Sequence, residues 1–394
     1  MRAAPPTRVL LGPGPSNVHP RVLRALATPL IGHLDPAFIE MMDETAQRLR
    51  DTFLTANALT LPISGTGSAG MEACLVNLLE PGDTAIVGVN GVFGTRMVDI
   101  VQRCGATAMK VEAPWGRIIE PDAVRQALAA APQAKLVALV HAETSTGAWQ
   151  PLEEIGRAVR AADSLFVVDT VTSLGGCPLR TDDWLIDASY SGTQKCLSCP
   201  PGLSPITFGP RAVAALTRRR TPVQSWYLDL TMIERYWGAE RVYHHTAPIS
   251  MNYALLEALR LVAEEGLEAR WRRHERHHRA LKAGLAAMGL QLAAQENHQL
   301  WTLNAVRIPD GVDDAAVRKA LLDEFCVEIG GGLGPMKGKV WRIGLMGESS
   351  TEANVLLVLS ALSRVLPRAG FAVDPGAGVA AAARELAIHP VPPP

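Results

Sequence analysis

Apolar and polar positions along the chain follow two periods, which predicts strands separated by helices. Short runs that are apolar at nearly every position recur between residues 59 and 192, each bounded by turn residues. The predicted strands are LTLPIS (59–64), TAIVGVN (84–90), ATAMKVE (106–112), KLVALVH (135–141), SLFVVD (164–169) and DASYSG (187–192). Helical spacing predicts helices near 36–55, 68–79, 93–104, 121–131 and 151–162. Strands that are apolar on both faces and are separated by helices are typical of an α/β fold, in which helices cover both faces of a mostly parallel sheet.

The pattern changes after residue 200, which predicts a second, smaller unit. The Pro- and Trp-rich region 200–250 has little periodicity and is expected to be irregular and interface-forming. A long helix is predicted over 250–288, and an α+β pattern follows it: TLNAVRI (302–308), a helix over 313–325, VEIGG, KVWRIGLM (339–346) and a helix over 351–366. The predicted organisation is an N-terminal arm (1–20), a large domain (21–264), a small C-terminal α+β domain (265–370) and a loose Ala/Pro-rich tail (371–394).

Composition narrows the class of protein. A chain of 394 residues is long enough for two domains and a large core. The net charge of −1 favours neither nucleic acid nor an anionic membrane surface as a partner. The six cysteines form no compact disulfide framework, which indicates a reducing compartment, and no stretch reaches transmembrane length. We therefore expect a cytoplasmic protein.

Two predicted strand ends carry the candidate chemistry. Asp169 ends LFVVD, and Lys195 ends YSGTQK at the next predicted strand. If these strands are parallel neighbours, both side chains emerge at the carboxyl edge of the sheet, where open α/β sheets bind ligands. Alone, Asp169 could be a helix cap, and Lys195 could be a solvated lysine. The pair predicts pyridoxal phosphate, which needs a lysine for its Schiff base and a carboxylate that keeps its ring nitrogen protonated.

A glycine- and hydroxyl-rich turn, SGTGSAGMEA (64–73), follows the first predicted strand and opens a helix. Helix N-termini bind phosphate, Gly65 and Gly67 permit close approach, and Thr66 and Ser68 add donors. The same letters match the dinucleotide motif G-x-G-x-x-G, which requires an acid at the end of the next strand. That strand ends in Val-Asn-Gly (89–91), with no acid, so a nicotinamide oxidoreductase is the weaker alternative.

Two further motifs resemble metal sites. HERHH would place His274 and His278 on one helix face with Glu275 as a base. The same turns carry five arginines, which oppose binding of a dication, so a solvated basic helix face is the better interpretation. Cys196 and Cys199 form a C-x-x-C pair without a second ligand pair nearby, and they are interpreted as ordinary buried thiols. No metal site is therefore expected.

In its series of motifs the chain resembles the class V, fold type I aminotransferases, and within them the alanine–glyoxylate and serine–glyoxylate (serine–pyruvate) group. The resemblance spans roughly residues 10 to 365. The motifs that carry it are LLGPGPSNVHP, IGHLDPAF, SGTGSAGMEA, EPGD, GVNGVFG, HAETSTG, VVDTVTSLGG, YSGTQK, PPGLSP, YHHTAPIS, EEGLEARW, GGLGP and KVWRIGLMG. It implies a fold type I large domain that binds pyridoxal 5'-phosphate and a smaller C-terminal domain.

The resemblance also implies roles for single residues. Lys195 is similar to the Schiff-base lysine and Asp169 to the partner of the ring nitrogen. The phosphate cradle would consist of Thr66, Gly67, Ser68 and Gln194, with Thr144 near the ring oxygen. Tyr243 and Thr246 of YHHT match residues that complete the cradle from a partner subunit, which implies a homodimer with shared sites.

Two more positions bear on ligand binding. Arg342, in VWRIGLMG, resembles the clamp on the substrate carboxylate. Phe93, in NGVFG, stands where the family's human-type members stack a Trp on the cofactor ring, so the stacking face is smaller here. His244 and His245 receive no assignment.

The expected reaction is a ping-pong transfer of an amino group from alanine or serine to glyoxylate, with the released Lys195 amine as the proton carrier. Ureidoglycine is an alternative donor. The more distant alternatives are a cysteine desulfurase, a nicotinamide oxidoreductase and a non-catalytic cofactor-binding relative. A desulfurase would carry a histidine immediately before the lysine, and Gln194 stands there.

Overall fold

The computed structural model describes residues 5–388. Fourteen strands lie within these residues, and seven of them form a central sheet. The strands are β1 (Val9–Leu10), β2 (Leu59–Ser64), β3 (Thr84–Val89), β4 (Thr107–Glu112), β5 (Leu136–Val140), β6 (Ala142–Glu143), β7 (Ala148–Trp149), β8 (Leu165–Asp169), β9 (Ala188–Tyr190), β10 (Leu203–Phe208), β11 (Leu303–Arg307), β12 (Val327–Glu328), β13 (Gly330–Gly331) and β14 (Val340–Gly344). The helices are α1 (Pro20–Leu26), α2 (Pro36–Phe53), α3 (Gly67–Leu78), α4 (Val92–Arg103), α5 (Pro121–Ala130), α6 (Glu153–Ala161), α7 (Pro210–Thr217), α8 (Leu230–Trp237), α9 (Ile249–Glu265), α10 (Leu267–Ala287), α11 (Asp314–Phe325), α12 (Glu352–Arg368) and α13 (Ala377–Ile388).

The central sheet has the order β2-β10-β9-β8-β5-β3-β4 and is mostly parallel, as predicted. Strands β4, β3, β5, β8 and β9 pair in parallel, while β10 is antiparallel to both of its neighbours. The prediction that 200–250 is irregular is therefore wrong for β10, α7 and α8. Pro205 hides the strand in the sequence because proline cannot donate to a β ladder.

Both faces of the sheet are buried, because alternate side chains of each strand enter different cores. On β5, Ala138 packs into the core beneath α3, α4 and α7, whereas Leu139 packs into the core beneath α2, α5, α6 and α9. This burial explains why the inner strands β3, β5 and β8 are apolar at nearly every position. It leaves the carboxyl ends of the parallel strands as the edge at which polar side chains gather.

The C-terminal part builds a separate core on a three-stranded sheet of order β11-β14-β13. Helices α10, α11 and α12 cover that core, and β1 joins this region by pairing in parallel with β12. The sequence places a small domain here, and its boundary near 265 stays a prediction. Residues 1–4 of the predicted arm and 389–394 of the predicted tail lie outside the described residues.

The rest of the predicted tail is a helix rather than a loose segment. Helix α13 buries Ala382 and Leu386 against the C-terminal core. Alanine has the highest helix propensity, so the run AAAAR favours a helix once an apolar surface is available. The expectation of a loose tail is therefore wrong for Ala377–Ile388.

The single long helix predicted over 250–288 is two helices. Gly266, with φ of +78°, separates α9 from α10. A positive φ is easily adopted only by glycine, so the chain bends here between the two cores. None of the helices within residues 5–388 is both long and apolar enough to cross a membrane.

Candidate active site

A cavity lies at the carboxyl edge of the central sheet, where β2, β3, β5, β8 and β9 end. It gathers the predicted cofactor residues that come from this one chain. Its lining consists of Thr66, Gly67, Ser68, Met71, Phe93, Arg96, Ala142, Thr144, Asp169, Val171, Thr172, Gln194 and Lys195. Tyr243, Thr246 and Arg342 are not part of this lining.

Asp169 is the last residue of β8 and is buried, with 3% of its surface exposed. Its Oδ1 accepts from the Val171 amide at 2.8 Å, and its Oδ2 accepts from the hydroxyl of Tyr190 at 2.8 Å. Tyr190 lies opposite Asp169 on β9, so the sheet register itself supplies this donor. Burial raises the pKa of Asp169 to about 7, while the two hydrogen bonds oppose the shift. A cation inside the cavity would favour the ionised form.

Lys195 lies in the turn that follows β9, and its Nζ donates to the carbonyl of Pro13 in the N-terminal arm. Burial and, to a smaller extent, the nearby Arg342 together lower the pKa of Lys195 to about 8. Gly14 has φ of +106°, and a Cβ there would lie 2.7 Å from the Lys195 Nζ. The arm can therefore close over the lysine only with glycine at this position.

The predicted phosphate cradle is the N-terminus of α3, where Thr66 is the N-cap residue. The hydroxyl of Thr66 makes no capping hydrogen bond, so it remains available to a ligand. A Cβ on Gly67 would lie 3.3 Å from the side chain of Val171, which explains the need for a small residue.

Arg96 adds a positive charge that sequence reasoning missed. Its Nη1 donates to the hydroxyl of Ser68 at 3.0 Å, and its guanidinium carbon lies 5.1 Å from the centre of the Phe93 ring. The arginine sits one turn into α4, and no spacing in the sequence relates it to α3. Its cation and the amides of α3 together suit a dianionic phosphate.

Gln194 adds a polar side chain with unmet hydrogen bonding to the cavity wall. Its Oε1 is buried and has no hydrogen-bond partner within the described residues. A buried amide with unmet hydrogen-bonding capacity fits a site built for a polar ligand. A hydroxyl- and amide-rich cradle, a carboxylate on one strand and a lysine on the next together fit pyridoxal phosphate.

Glu143 is a second buried carboxylate that sequence reasoning missed, although it lies in the HAETSTG motif. Its Oε2 accepts from the Phe93 amide at 3.1 Å, and its Oε1 accepts from the amide of Ser145 at 3.0 Å. Burial raises the pKa of Glu143. These contacts fix the start of α4, and with it Phe93, at the mouth of the cavity.

Arg342 on β14 lies beside the cavity rather than in its wall, and it is 7% exposed. Its Nε donates to the Gly331 carbonyl at 2.7 Å, and its Nη1 lies 3.4 Å from the carbonyl of Thr144, a lining residue. Burial lowers the pKa of Arg342 to about 10, and Glu143 counteracts this shift. Arg342 is therefore a cation with little surrounding water that lies directly behind one lining residue of the cavity.

The YHHT segment does not reach the cavity of its own chain. Tyr243 is 56% exposed, and its hydroxyl lies 3.5 Å from that of Thr246. His244 stacks on Trp226 with ring centres 4.5 Å apart, and the Nε2 of His245 lies 2.7 Å from the Ser64 hydroxyl. His245 thus anchors the segment to the end of β2, immediately before the phosphate cradle, and His244 anchors it to Trp226.

The prediction of a solvated basic face at HERHH is wrong for its histidines. His274 and His278 are buried, and burial lowers their pKa values. The Nε2 of His274 accepts from the Gly347 amide at 2.9 Å, and the Nδ1 of His278 lies 2.7 Å from the Asn304 Oδ1. The structure places these rings between α10 and the C-terminal sheet, where they serve packing and hydrogen bonding.

Other ligand-like clusters give a similar picture. Residues 5–388 contain no group of three or more His, Cys, Asp and Glu side chains that could hold a metal ion. Cys196 and Cys199 are free and buried, as predicted, and burial raises their thiol pKa values.

Comparison with known proteins gives consistent matches over nearly the whole chain. The family described as aminotransferase class V matches residues 10–335. The (S)-ureidoglycine–glyoxylate transaminase of Bacillus subtilis is 43% identical, over 96% of this chain and 95% of that protein. The alanine–glyoxylate aminotransferase of Drosophila melanogaster is 40% identical, over 92% of this chain and 93% of that protein.

The crystal structure of an alanine–glyoxylate aminotransferase from Nostoc sp. superposes with a TM-score of 0.91 at 50% identity, covering 93% of this chain and 97% of that one. This similarity confirms the predicted fold type I architecture.

Proposed function

Because the chain belongs to the class V aminotransferase family, we propose that it moves the amino group of a small amino acid, alanine or serine, to glyoxylate. The enzyme is an aminotransferase that depends on pyridoxal phosphate. The observation that carries the proposal is the cavity in which Asp169, Lys195 and the α3 cradle meet. The products would be glycine and the 2-oxo acid of the donor.

Within this proposal the cradle binds the cofactor phosphate. Thr66, Gly67, Ser68 and Gln194 supply donors, and Arg96 supplies the compensating charge. Phe93 and Thr144 line the same cavity and would contact the cofactor ring. When bound, the cofactor supplies an electron sink for the negative charge that develops at the substrate Cα.

The carboxylate and the amine divide the proton chemistry. Asp169 would keep the cofactor's ring nitrogen protonated, and its own ionised form is stabilised by Tyr190 and the Val171 amide. Lys195 would hold the cofactor through its amine, and the free amine would serve as the group that moves the proton at the substrate Cα. Its pKa of about 8 leaves a useful fraction of free amine near neutral pH.

Arg342 would bind the carboxylate shared by every amino-acid donor and every 2-oxo acid acceptor. Its fork geometry suits a two-point contact, and its burial strengthens that contact by excluding water. The side chain of the donor is recognised elsewhere in the cavity.

We also propose a homodimer in which Tyr243 and Thr246 of one copy complete the cradle of the other. The supporting observation is a group of exposed aromatic side chains next to the cradle, with Trp226 63%, Tyr227 43% and Tyr243 56% exposed. Aromatic residues of this kind are enriched in protein interfaces.

The free state of all six cysteines agrees with the cytoplasm as the compartment.

Ureidoglycine is the second candidate donor, supported by the identity with the Bacillus subtilis transaminase. The test is a steady-state assay of alanine, serine and ureidoglycine, each paired with glyoxylate or pyruvate, with glycine or alanine formation as the readout. We expect ping-pong kinetics and the highest kcat/KM for alanine or serine with glyoxylate. A clear preference for ureidoglycine would select the alternative, and absence of amino transfer with every pair would overturn the proposal.

A further inference from the structure

Arg270, in the first turn of α10, carries a buried charge that the proposed mechanism does not use. It is 2% exposed, and its Nη1 pairs with the carboxylate of Glu265 at the end of α9. The other two nitrogens of its guanidinium donate to backbone carbonyls outside the helices. The Nε donates to the carbonyl of Gly175 at 3.0 Å, and the Nη2 donates to the carbonyl of Cys196 at 2.6 Å.

Those two carbonyls belong to the loops that follow the candidate catalytic residues. Cys196 is the residue after Lys195, and Gly175 lies in the turn after Asp169. That turn is closed by a backbone hydrogen bond, in which the amide of Leu174 donates to the Thr170 carbonyl at 3.0 Å. A displacement of Gly175 is therefore transmitted towards Asp169.

The two loops also touch each other. The thiol of Cys196 donates to the Thr172 carbonyl at 3.1 Å, and a Cβ on Gly175 would lie 3.3 Å from Leu197. The planar guanidinium of Arg270 spans both loops in a fixed geometry, which the single ammonium of a lysine could not reproduce.

We propose that Arg270 is a positioning residue that holds the Lys195 and Asp169 loops at the separation the cofactor requires. The inference rests on the proposed function for its catalytic consequence, but the loop contacts stand independently of it. The partner Glu265 also pairs with Arg273, whose Nη1 donates to the carbonyls of Gly347 and Ser350. The start of α10 thereby connects the C-terminal unit to both loops.

The chain offers a matched control on the same helix. The side chain of Arg272 is 70% exposed and lies 3.6 Å from Glu268, so its removal should affect neither loop. We would prepare the full-length variants Arg270→Met, Arg270→Lys and Arg272→Met, each loaded with pyridoxal phosphate and again after cofactor removal. The measurements are hydrogen–deuterium exchange by peptide, the dissociation constant of the cofactor, and kcat and KM for the amino donor.

For Arg270→Met we expect faster exchange in the peptides covering 170–177 and 195–199, with exchange in β3 and β5 unchanged. Cofactor affinity should fall, and kcat should fall by about 100-fold with little change in KM, because misplaced catalytic groups slow the chemistry more than substrate binding. Arg270→Lys should change the same quantities less, and Arg272→Met should behave as the unmodified enzyme.

Three outcomes would overturn the inference: unchanged exchange in both loops, faster exchange spread evenly over the chain, or failure of Arg270→Lys to fold. The exchange measured after cofactor removal does not depend on the reaction. If the wild-type protein shows no amino transfer, the proposed function is refuted. The exchange measurement then still tests whether Arg270 holds the two loops.

Discussion

The floor of the cavity, formed by Asp169 and Lys195 with Tyr190 hydrogen-bonded behind Asp169, contrasts with the flank formed by residues 226–246. The floor is supplied by neighbouring strands of one chain, and Asp169 and Tyr190 are buried with their hydrogen bonds made. The flank exposes Trp226 and Tyr243, and its hydroxyls reach no residue of the cavity. The electrostatic part of the site is thus preorganised by the fold, whereas the flank exposes aromatic surface of the kind that the proposed homodimer would bury.

The strongest test of the floor is Lys195→Ala. We expect no measurable turnover, because the variant lacks both the Schiff-base amine and the proton carrier. Lys282→Ala is the matched control, since that lysine pairs with Glu296 at the surface. Amino transfer should be followed as glycine formed from glyoxylate. Normal activity in Lys195→Ala would refute the assignment of the floor.

Asp169→Asn should lower kcat by several orders of magnitude. An amide cannot hold a proton on the ring nitrogen as a carboxylate does, so charge developing at the substrate Cα is poorly stabilised. Single-turnover rates with a saturating donor measure this effect apart from cofactor affinity. A loss of tenfold or less would show that the carboxylate is not required.

The same substitution has an opposite effect on the stability of the cofactor-free protein. The pKa of Asp169 is about 7 when folded and about 3.9 when unfolded, so the folded chain binds the extra proton between these values. Its contribution to the free energy of unfolding therefore falls as the pH rises from about 4 to about 7, and it stays low above that range.

Asp169→Asn removes this penalty. Its unfolding free energy should exceed that of the wild type by an amount that grows from about pH 5 to about pH 8, up to about 4 kcal/mol. Denaturant melts of both cofactor-free proteins at the two pH values measure the difference. A difference that does not change with pH would show that the carboxyl is already ionised in the cavity.

Tyr190→Phe tests the hydrogen bond that the sheet register supplies. Hydrogen bonds to charged groups contribute about 1.5–3 kcal/mol, so we expect the cofactor to bind roughly 10- to 100-fold more weakly. Tyr236→Phe is the control, because that buried hydroxyl donates to the His33 carbonyl away from the cavity. Equal cofactor affinities in the two variants would contradict the role of Tyr190.

Tyr243→Phe tests the flank and should have the smallest effect. In the proposed homodimer, the loss of one hydrogen bond to the partner's cofactor phosphate should weaken cofactor binding by about tenfold, whereas Tyr236→Phe should leave it unchanged. Mixing Lys195→Ala with a Tyr243→Phe, Thr246→Ala double variant should recover part of the activity, since one site of each mixed dimer is intact. No recovery from a mixture verified as mixed dimers would favour sites that each copy completes alone.

The sequence predicts some elements of the fold closely and misses others. The buried parallel strands were predicted to within a residue or two, because doubly apolar runs between turn residues admit few alternatives. β10 was missed because Pro205 interrupts its pattern, and the break at Gly266 was missed because helical spacing continues on both sides of it.

Of the site, the sequence indicated the residues that lie within short motifs. Arg96, Tyr190 and Arg270 were not assigned, because their roles arise from contacts between distant elements. The burial of His274 likewise depends on Gly347 and the turn that contains it, far away in the chain. Only Glu143 gave a local signal, as an acid within an otherwise apolar and hydroxyl-rich stretch.

The pairing of β1 with β12 has a consequence for the order in which the enzyme is assembled. Val9 pairs with Val327, and only a few residues separate β1 from Pro13 and Gly14, which cover Lys195. Contacts between such distant positions form late, because closing a long loop costs entropy before the contact repays it. A chain emerging N-terminus first has no docking strand for its arm until β12 is made. The lysine therefore stays uncovered by the arm from its own synthesis until β12 has been made.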